Sequence, residues 1–475
     1  MSLNTAINAA VSGLAATSRM ANTVSSNVAN ALTEGYARRE LVLTSRDGGL
    51  SAPGVRVVAE RRVVDQGLLA ERRQADAAAG EAGARSAALV DLERAFGVPG
   101  DPGSLTGRIA ELDAALAEAA SRPDSELRLA RVVQGAEDLV RSIGAIAGQV
   151  QDARAEADRQ IDAGVRRLNE GLSQIADINR AILRERSAGL TPNGLFDARQ
   201  RLIDDLSELV ALRVVDRPND QIAIYTDSGA ILLDGQPAEV GFAPAGGPVD
   251  PGMALGAGLS GLTVNGQPVG TGPMGALGGG ALSGHFAMRD TILPRFQEGL
   301  DALATDLVQR FEAADAASPA PAGSGLFVDV GGGGPEGRAQ RLGVNPLLDG
   351  AVWRLRDGLG APSAGAPGQS SALLAMIGAL GAPAALPPPG VPGHARDFAG
   401  HAAVLQSDVG QSLVFAEGAL GFAAARGTAL SDAMARQGVD TDDEMQKLLL
   451  IERAYAANAR VIRAADEMLQ TLLAI

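Results

Sequence analysis

The apolar residues of this chain recur with a helical period at its two ends. Within Gly438 to Ile475 they alternate in steps of three and four, and residues Leu3 to Val28 repeat that spacing. This is the heptad pattern of a helix that packs along another helix. Because such a stripe needs a partner, we expect the ends to pair with each other or with neighbouring copies. The positions predicted to form this assembly interface are Leu3, Ile7, Leu14, Val24, Val28, Leu448, Ile451, Tyr455, Asn458, Ile462, Leu469 and Leu472.

The C-terminal helix has a clear predicted start, and two orientations remain open for it. Thr441 followed by Glu444 predicts a capping box. Asn458 lies within the stripe, where a buried polar side chain fixes the register at a cost in stability. In the alternative orientation Asn458 faces solvent and a second apolar stripe is buried. A helix that is covered on two faces would bury both apolar stripes. The alternative stripe comprises Met445, Leu448, Tyr455, Ala459, Ile462, Leu469 and Leu473.

The middle of the chain alternates between helical and strand patterns. Short strands are predicted at Arg39 to Thr44 and Val55 to Val64, and alternating runs recur from Val214 to Val264. Gly144 and Gly148 lie inside the helical pattern at 123–188, and the sequence leaves open whether they divide it into two helices. Helices are predicted at 66–96, 104–121, 123–188, Phe196 to Leu212, His285 to Ala317 and Asp397 to Arg436.

These patterns predict a mainly α, elongated fold with a smaller β part. The terminal helices, at 1–36 and 438–475, would pair as a coiled-coil-like assembly domain. The body would be a helical rod, at 37–212 and 286–437, that carries a small β-subdomain at 213–285.

Composition argues against several classes of function. The chain has 475 residues and a formal net charge of −15, which argues against binding to nucleic acid or to an anionic membrane. It has no cysteine, so disulfides, thiolate metal sites and cysteine nucleophiles are excluded. We expect no cleaved signal peptide, because the start lacks a basic segment followed by an apolar run. We also expect no membrane span.

No motif in the sequence predicts catalysis, a cofactor or a metal. Two GxGxxG matches, at 256–261 and 270–275, lie in a glycine-rich tract rather than between a strand and a helix, so they do not predict a nucleotide site. His285, His394 and His401 are scattered along the chain. The acidic residues at 440–444 lack the spacing of a calcium loop, and helix capping explains them. We therefore expect no enzyme activity, no cofactor and no small-molecule substrate.

Both ends of the chain resemble one protein family. Asn4 to Tyr36 is similar to the N-terminal signature of bacterial flagellar rod, hook and hook-associated proteins, and Gly438 to Ile475 is similar to their C-terminal signature. Inside the chain, Leu195 to Val215 and Gly279 to Phe311 resemble the hook-associated members found at the hook–filament junction.

The chain departs from the family pattern at two places. It has Leu32-Thr33-Glu34 where the family usually has Asn-Thr-Pro, which puts the form of that turn in doubt. Larger members insert an outer β-domain where this chain has only residues 330–340. That domain is therefore expected to be absent or vestigial.

The resemblance implies a structural role in the bacterial flagellum. Identical subunits would form a ring between hook and filament, with the terminal helices packed in the inner tube. The implied partners are other copies of the chain, the flagellar hook protein, hook-associated protein 3 and an export chaperone that covers the C-terminal helix. The implied location is extracellular, reached through the flagellar type III apparatus.

Two rival functions stay open. The chain resembles other axial proteins as well, namely the hook protein, a distal rod protein or hook-associated protein 3; the long helical section at 66–188 argues against the hook protein, which is mostly β outside its ends. A secreted adhesin would use the β-subdomain as its binding surface. Only Tyr225 and Phe242 supply aromatic side chains there.

Deletion of residues 440–475 is expected to leave the body folded and to abolish incorporation at the hook tip, because the heptad stripe is the predicted assembly element. Circular dichroism measures the first effect, and labelling of isolated flagella measures the second. Normal incorporation of the truncated chain would contradict the prediction.

Overall fold

The computed structural model describes residues 3–33, 35–46, 54–315, 325–386 and 394–473, except the side chains of Arg46, Leu472 and Leu473. The fold is 64% helical with 11% strand, which confirms the predicted mainly α class. The helices are α1 (Leu3–Ala29), α2 (Gln66–Phe96), α3 (Leu105–Ser121), α4 (Glu126–Ser187), α5 (Asn193–Ser207), α6 (Gly280–Ala287), α7 (Leu293–Ala314), α8 (Arg338–Arg341), α9 (Arg354–Asp357), α10 (Ser371–Gly381), α11 (Phe398–Arg436) and α12 (Thr441–Leu473).

The strands form small sheets. β1 and β2 make an antiparallel hairpin, β3 to β6 make a sheet in chain order, and β7, β10 and β11 make a third sheet with β10 in the centre. The remaining pairs are β8 with β9, and β12 with β13. The bounds are β1 (Arg39–Arg46), β2 (Gly54–Arg62), β3 (Leu212–Asp216), β4 (Ile222–Thr226), β5 (Ile231–Asp234), β6 (Gln236–Pro237), β7 (Val240–Gly241), β8 (Ala254–Leu255), β9 (Gly258–Leu259), β10 (Leu262–Val264), β11 (Gln267–Val269), β12 (Phe327–Asp329) and β13 (Leu342–Val344).

Most predicted elements are confirmed, and three differ. Helix α4 runs through Gly144 and Gly148 without the break that was left open. The helix predicted to end at Leu212 ends earlier, because Leu212 pairs with Thr226 and opens strand β3. The helix predicted from His285 is preceded by α6 and joined to α7 by one π-helical turn at Met288–Ile292.

The chain divides into two compact units. Unit 1 comprises Met1–Ala77, Leu168–Ala238 and Phe422–Ile475, and unit 2 comprises Ala78–Arg167 and Glu239–Gly421. Residues 213–285, predicted as one β-subdomain, contribute strands to both units. The domain boundaries named above remain a prediction.

Unit 2 has a continuous hydrophobic core. Leucine, isoleucine and valine side chains at helical spacing on α3 and α4 meet phenylalanines from α7, β12 and α11. Phe311 and Phe327 pack edge to face with ring centroids 4.9 Å apart, a geometry that aromatic rings prefer. The long apolar stripe of α4 therefore serves as a core surface within this unit.

Two buried arginines attach the 243–260 segment to α4 in unit 2. Arg289 is fully buried, and its Nη1 donates to Oδ1 of Asp158 at 2.6 Å. The other oxygen of Asp158 accepts from the backbone N–H of Ala245 at 2.8 Å. Arg154 donates from Nε to the carbonyl of Arg289 at 3.0 Å and from Nη1 to the carbonyl of Asp250 at 3.2 Å. Arg289 also donates from Nη2 to the carbonyl of Ser260 at 2.8 Å, so each guanidinium satisfies a backbone carbonyl of a segment with little regular structure.

Asp158→Ala is expected to lower the free energy of unfolding of unit 2 by roughly 3 kcal/mol, because it leaves a buried guanidinium without one of its two carboxylates. The chain's single tryptophan, Trp353, lies in unit 2, so denaturant titration followed by tryptophan fluorescence reports this unit. Glu156→Ala, which breaks an exposed pair with Arg159 on the same helix, is the control. It should change the value by at most about 0.5 kcal/mol. Equal effects of the two variants would contradict the prediction.

Candidate assembly interface

Helices α1 and α12 of unit 1 pack along each other in opposite directions. A Cβ placed on Gly13 would lie 2.7 Å from Nδ2 of Asn458. Further along α1, Nδ2 of Asn27 donates to Oε2 of Glu444 at 2.9 Å. Residue numbers therefore rise along α1 while they fall along α12. Gly13 permits the close approach because it has no side chain.

Asn458 faces α1, and this decides between the two orientations of the C-terminal helix. Ile451 and Ala465, on the same side of α12, are buried. Met445, which only the alternative orientation would bury, is 49% exposed, whereas Tyr455 belongs to both stripes and its 50% exposure does not discriminate between them. The heptad stripe that contains Asn458 is thus the one that contacts the chain's own N-terminal helix.

Asn27 joins four segments of unit 1. Its Oδ1 accepts from the Tyr36 hydroxyl at 2.9 Å and from the backbone N–H of Arg39 at 3.0 Å. Its Nδ2 donates to the carbonyl of Arg39 at 3.0 Å as well as to Glu444. Because Asn27 is 1% exposed, every one of these bonds replaces one with water. The end of α1, the turn after it, β1 and α12 are thereby held together.

The start of α12 differs from the predicted capping box. Asp440 caps the helix, since its Oδ1 accepts from the backbone N–H groups of Asp442 at 2.9 Å and Asp443 at 3.2 Å. Glu444 does not serve as a capping residue; it is 2% exposed and binds Asn27 and Lys447. The prediction of Thr441 as the cap was wrong because tertiary contacts recruit Glu444.

A cavity of about 470 Å³ opens between α1, α12 and β1. Its wall is largely apolar, with Met20 and Val24 on α1, Leu41 on β1, and Leu450 on α12. Charged side chains, among them Glu444 and Lys447, complete the lining, so the pocket offers both apolar and polar contacts.

Each terminal helix carries a second, exposed heptad stripe beside the face that contacts the other helix, called here its outer stripe; Leu450 and Ala454 of the α12 stripe also line the cavity. Along α12 this stripe is apolar throughout and exposed, with Leu450 63%, Val461 45% and Met468 52% accessible. Along α1 the stripe consists mostly of small residues, and all of it is exposed. The outer stripe of α12 comprises Leu450, Ala454, Ala457, Val461, Ala464 and Met468, and that of α1 comprises Val11, Ala15, Ser18, Asn22, Ser25 and Ala29.

The predicted interface residues occupy several environments within the chain. Val24 and Ile451 are buried, and Tyr455 and Leu469 are exposed. The side chain of Leu472 lies outside the described residues. The partly buried remainder comprises Leu3, Ile7, Leu14, Val28, Leu448, Asn458 and Ile462. Sequence reasoning missed Asn27, the burial of Glu444 against α1 and the two outer stripes, although the spacing of the stripes was readable from the sequence.

Other candidate sites show little chemistry. Within the described ranges no three His, Asp or Glu side chains cluster as metal ligands do. The match at 256–261 lies among the two- and three-residue strands β8 to β10, without the strand-to-helix turn of a dinucleotide site.

One described stretch is long and apolar enough to cross a membrane by length and composition alone. It lies within Phe398–Thr471, with a mean hydropathy of 1.2 over 18 residues, of which 17% are buried. The expectation of no membrane span stays a prediction. Buried core helices pass the same test, so the observation is weak evidence for a span.

Three family profiles match separate parts of the chain. "Flagellar hook-associated protein FlgK helical domain" matches residues 89–320, "Flagella basal body rod protein" matches 7–36, and "Flagellar basal body rod FlgEFG protein C-terminal" matches 431–475. In both ends and in its helical middle, the chain is similar to flagellar rod, hook and hook-associated proteins. The two terminal matches fall on α1 and α12, the helices that pair in unit 1.

The relatives of this chain include several curated proteins named flagellar hook-associated protein 1. The Bacillus subtilis protein is 24% identical over 100% of this chain and 97% of its own length. The Escherichia coli protein is 24% identical over 65% of this chain and 56% of its own length, and the Salmonella typhimurium protein is 25% identical over 50% and 44%. The chain thus matches only about half the length of the two enteric relatives.

A solved structure of the flagellar hook junction protein FlgK from Burkholderia pseudomallei is also similar. It aligns with a TM-score of 0.46 and 20% identity over 55% of this chain and 46% of its own. The family resemblance rests on the sequence profiles.

Asn27→Ala is expected to lower the free energy of unfolding of unit 1 by about 3 kcal/mol, because it removes the partner of Oε2 of the buried Glu444, which keeps only Lys447 and Arg38, and both side-chain partners of the Arg39 backbone. All three tyrosines lie in unit 1, so tyrosine fluorescence during denaturation reports it. Asn8→Ala, on the exposed side of α1, should stay within about 0.5 kcal/mol. A similar loss in both variants would show that Asn27 does not join these segments.

Proposed function

We propose that this protein is a structural subunit of the junction between hook and filament, where identical copies form a ring through their terminal helices. The observation that carries the proposal is the outer apolar stripe of α12. The α1 and α12 helices cover one face of each other and leave a second heptad face of each exposed to solvent.

A second copy of the chain is the occupant that best fits the outer stripes. On α12, large apolar residues alternate with alanines, while on α1 the stripe is mostly alanine and serine. Large side chains on one helix pack into the spaces between small residues on another. The contact joins α12 of one copy to α1 of the next. A contact of this head-to-tail kind makes a ring when its rotation closes.

The predicted interface then has two parts. Ile451 and Asn458 hold the chain's own helix pair, and the exposed Tyr455 and Leu469 extend the surface offered to neighbours. The hook protein and hook-associated protein 3 are the proposed neighbours on the two sides of the ring. An export chaperone that shields the apolar outer face of α12 before assembly fits the same surface.

The proposed role is mechanical rather than enzymatic, at an extracellular position reached by flagellar type III export. A chain with no cysteine passes such a route without forming cross-links. The adhesin alternative requires an aromatic binding surface on the sheets, and Phe242 instead packs edge to face on Phe286 beside the buried Arg289.

Val461→Asp is expected to abolish incorporation into flagella while the isolated chain stays folded, because Val461 is exposed in the free chain and would be buried against the next copy. Fractionation of hook–filament complexes measures incorporation, and tyrosine fluorescence measures the fold of unit 1. The matched control is Arg460→Asp, which adds negative charge at the neighbouring exposed position outside the stripe. Incorporation of Val461→Asp at the control's level would overturn the proposal.

A further inference from the structure

An arginine-lined cavity lies in unit 1, away from the terminal helix pair. It measures about 50 Å³ and is formed by the start of α2, by α5 and by strands β3 and β4. Arg62, Arg73 and Arg199 line it, while Asp216 is its single acidic lining residue. The floor is apolar, with Leu69 and Ile203 buried beneath the charged groups. Three cations around one small cavity are notable in a chain of net charge −15.

The three guanidiniums are unequally neutralised. Arg62 pairs with Asp197 at 2.7 Å, and Arg73 pairs with Asp204 at 2.7 Å. Arg199 donates only to neutral acceptors, namely Oδ1 of Asn179 at 2.8 Å and the backbone carbonyl of Asp220 at 2.8 Å. Within the described part of the chain it forms no ion pair with a carboxylate.

The surroundings of Arg199 raise the energy of its positive charge. Burial, with the neighbouring charge of Arg62 as the next cause, lowers the pKa of Arg199 to about 10. Burial likewise lowers the pKa values of Arg62 and Arg73. The guanidinium of Arg199 also stacks near the Phe196 ring, 5.3 Å from its centroid, which holds it at the cavity edge. The charges of Asp216 and Asp220 offset only part of this cost, and a negative ligand would relieve the remainder.

We infer that this cavity binds one small oxyanion, of the phosphate or sulfate class, through Arg199 and its neighbours Arg62 and Arg73. A single water molecule needs roughly 10–15 Å³ of such space, so about 50 Å³ suits one small anion and excludes a nucleotide. Guanidinium groups match the geometry of oxyanions because their N–H donors form a planar fork. The amides of Gln66 and Gln200 add donors at the rim.

The bound anion would link α2, α5 and the β3–β4 hairpin of unit 1. This function goes beyond the junction role and does not depend on it, since the isolated chain suffices for binding. It would make the stability of unit 1 respond to the anion content of the medium.

Titration calorimetry of the full chain with inorganic phosphate, at constant ionic strength set by chloride, tests the inference. We expect saturable binding of one phosphate per chain at millimolar concentration. Arg199→Gln should weaken it at least about tenfold, because it removes the one cation without a carboxylate. Asp216→Asn should tighten it about threefold or more, because it removes the competing negative charge from the rim. The two variants thus shift the affinity in opposite directions.

Arg213→Gln is the matched control, since it removes one exposed positive charge from β3, outside the cavity lining. It should leave the phosphate affinity unchanged within about twofold. If Arg199→Gln does not fold, the affinity of Asp216→Asn alone tests the inference. Asp216 is exposed, so its replacement should leave the fold intact. Absence of saturable binding, equal affinities in Arg199→Gln and Arg213→Gln, or no tightening in Asp216→Asn would overturn the inference.

Discussion

The antiparallel packing of α1 on α12 is the contact on which the assembly module of this protein depends. It joins the two ends of the sequence within one compact unit and covers only one face of each helix. The close approach requires Gly13 opposite Asn458, and the register is held by the buried bond between Asn27 and Glu444. Because neither helix can bury two heptad faces against a single partner, an apolar surface remains on the outside.

Polar groups, as well as apolar stripes, fix the geometry of this module. Asn27 fills all of its hydrogen-bonding capacity between α1, β1 and α12, and Glu444 is buried only because Asn27 and Lys447 satisfy it. Hydrophobic contacts alone tolerate sliding between helices, whereas a buried polar pair specifies one register. A similar arrangement recurs in unit 2, where Asp158 and Arg289 hold a segment that has little regular structure.

The family resemblance and the structure support one another at different levels. The profile matches at 7–36 and 431–475 identify the ends as flagellar, and the structure brings those ends together. The match at 89–320 covers much of the helical part of the chain. None of these matches explains the arginine cavity of unit 1, whose residues come from three separate parts of the sequence: the β2–α2 region, α5, and β3 with β4.

The sequence by itself determined the helices, since heptad spacing and strong helix formers act over neighbouring residues; α2, α3, α4 and α11 were predicted almost to their ends. It also determined that both termini carry packing stripes. Only the tertiary structure decided which face of α12 meets α1, because two apolar stripes of similar strength cannot be ranked from periodicity. It likewise decided that Glu444 is buried against Asn27, which leaves Asp440 to cap α12, and that Leu212 opens a strand instead of ending a helix. In each of these cases the deciding partner lies outside the local segment, so no local pattern contained the answer.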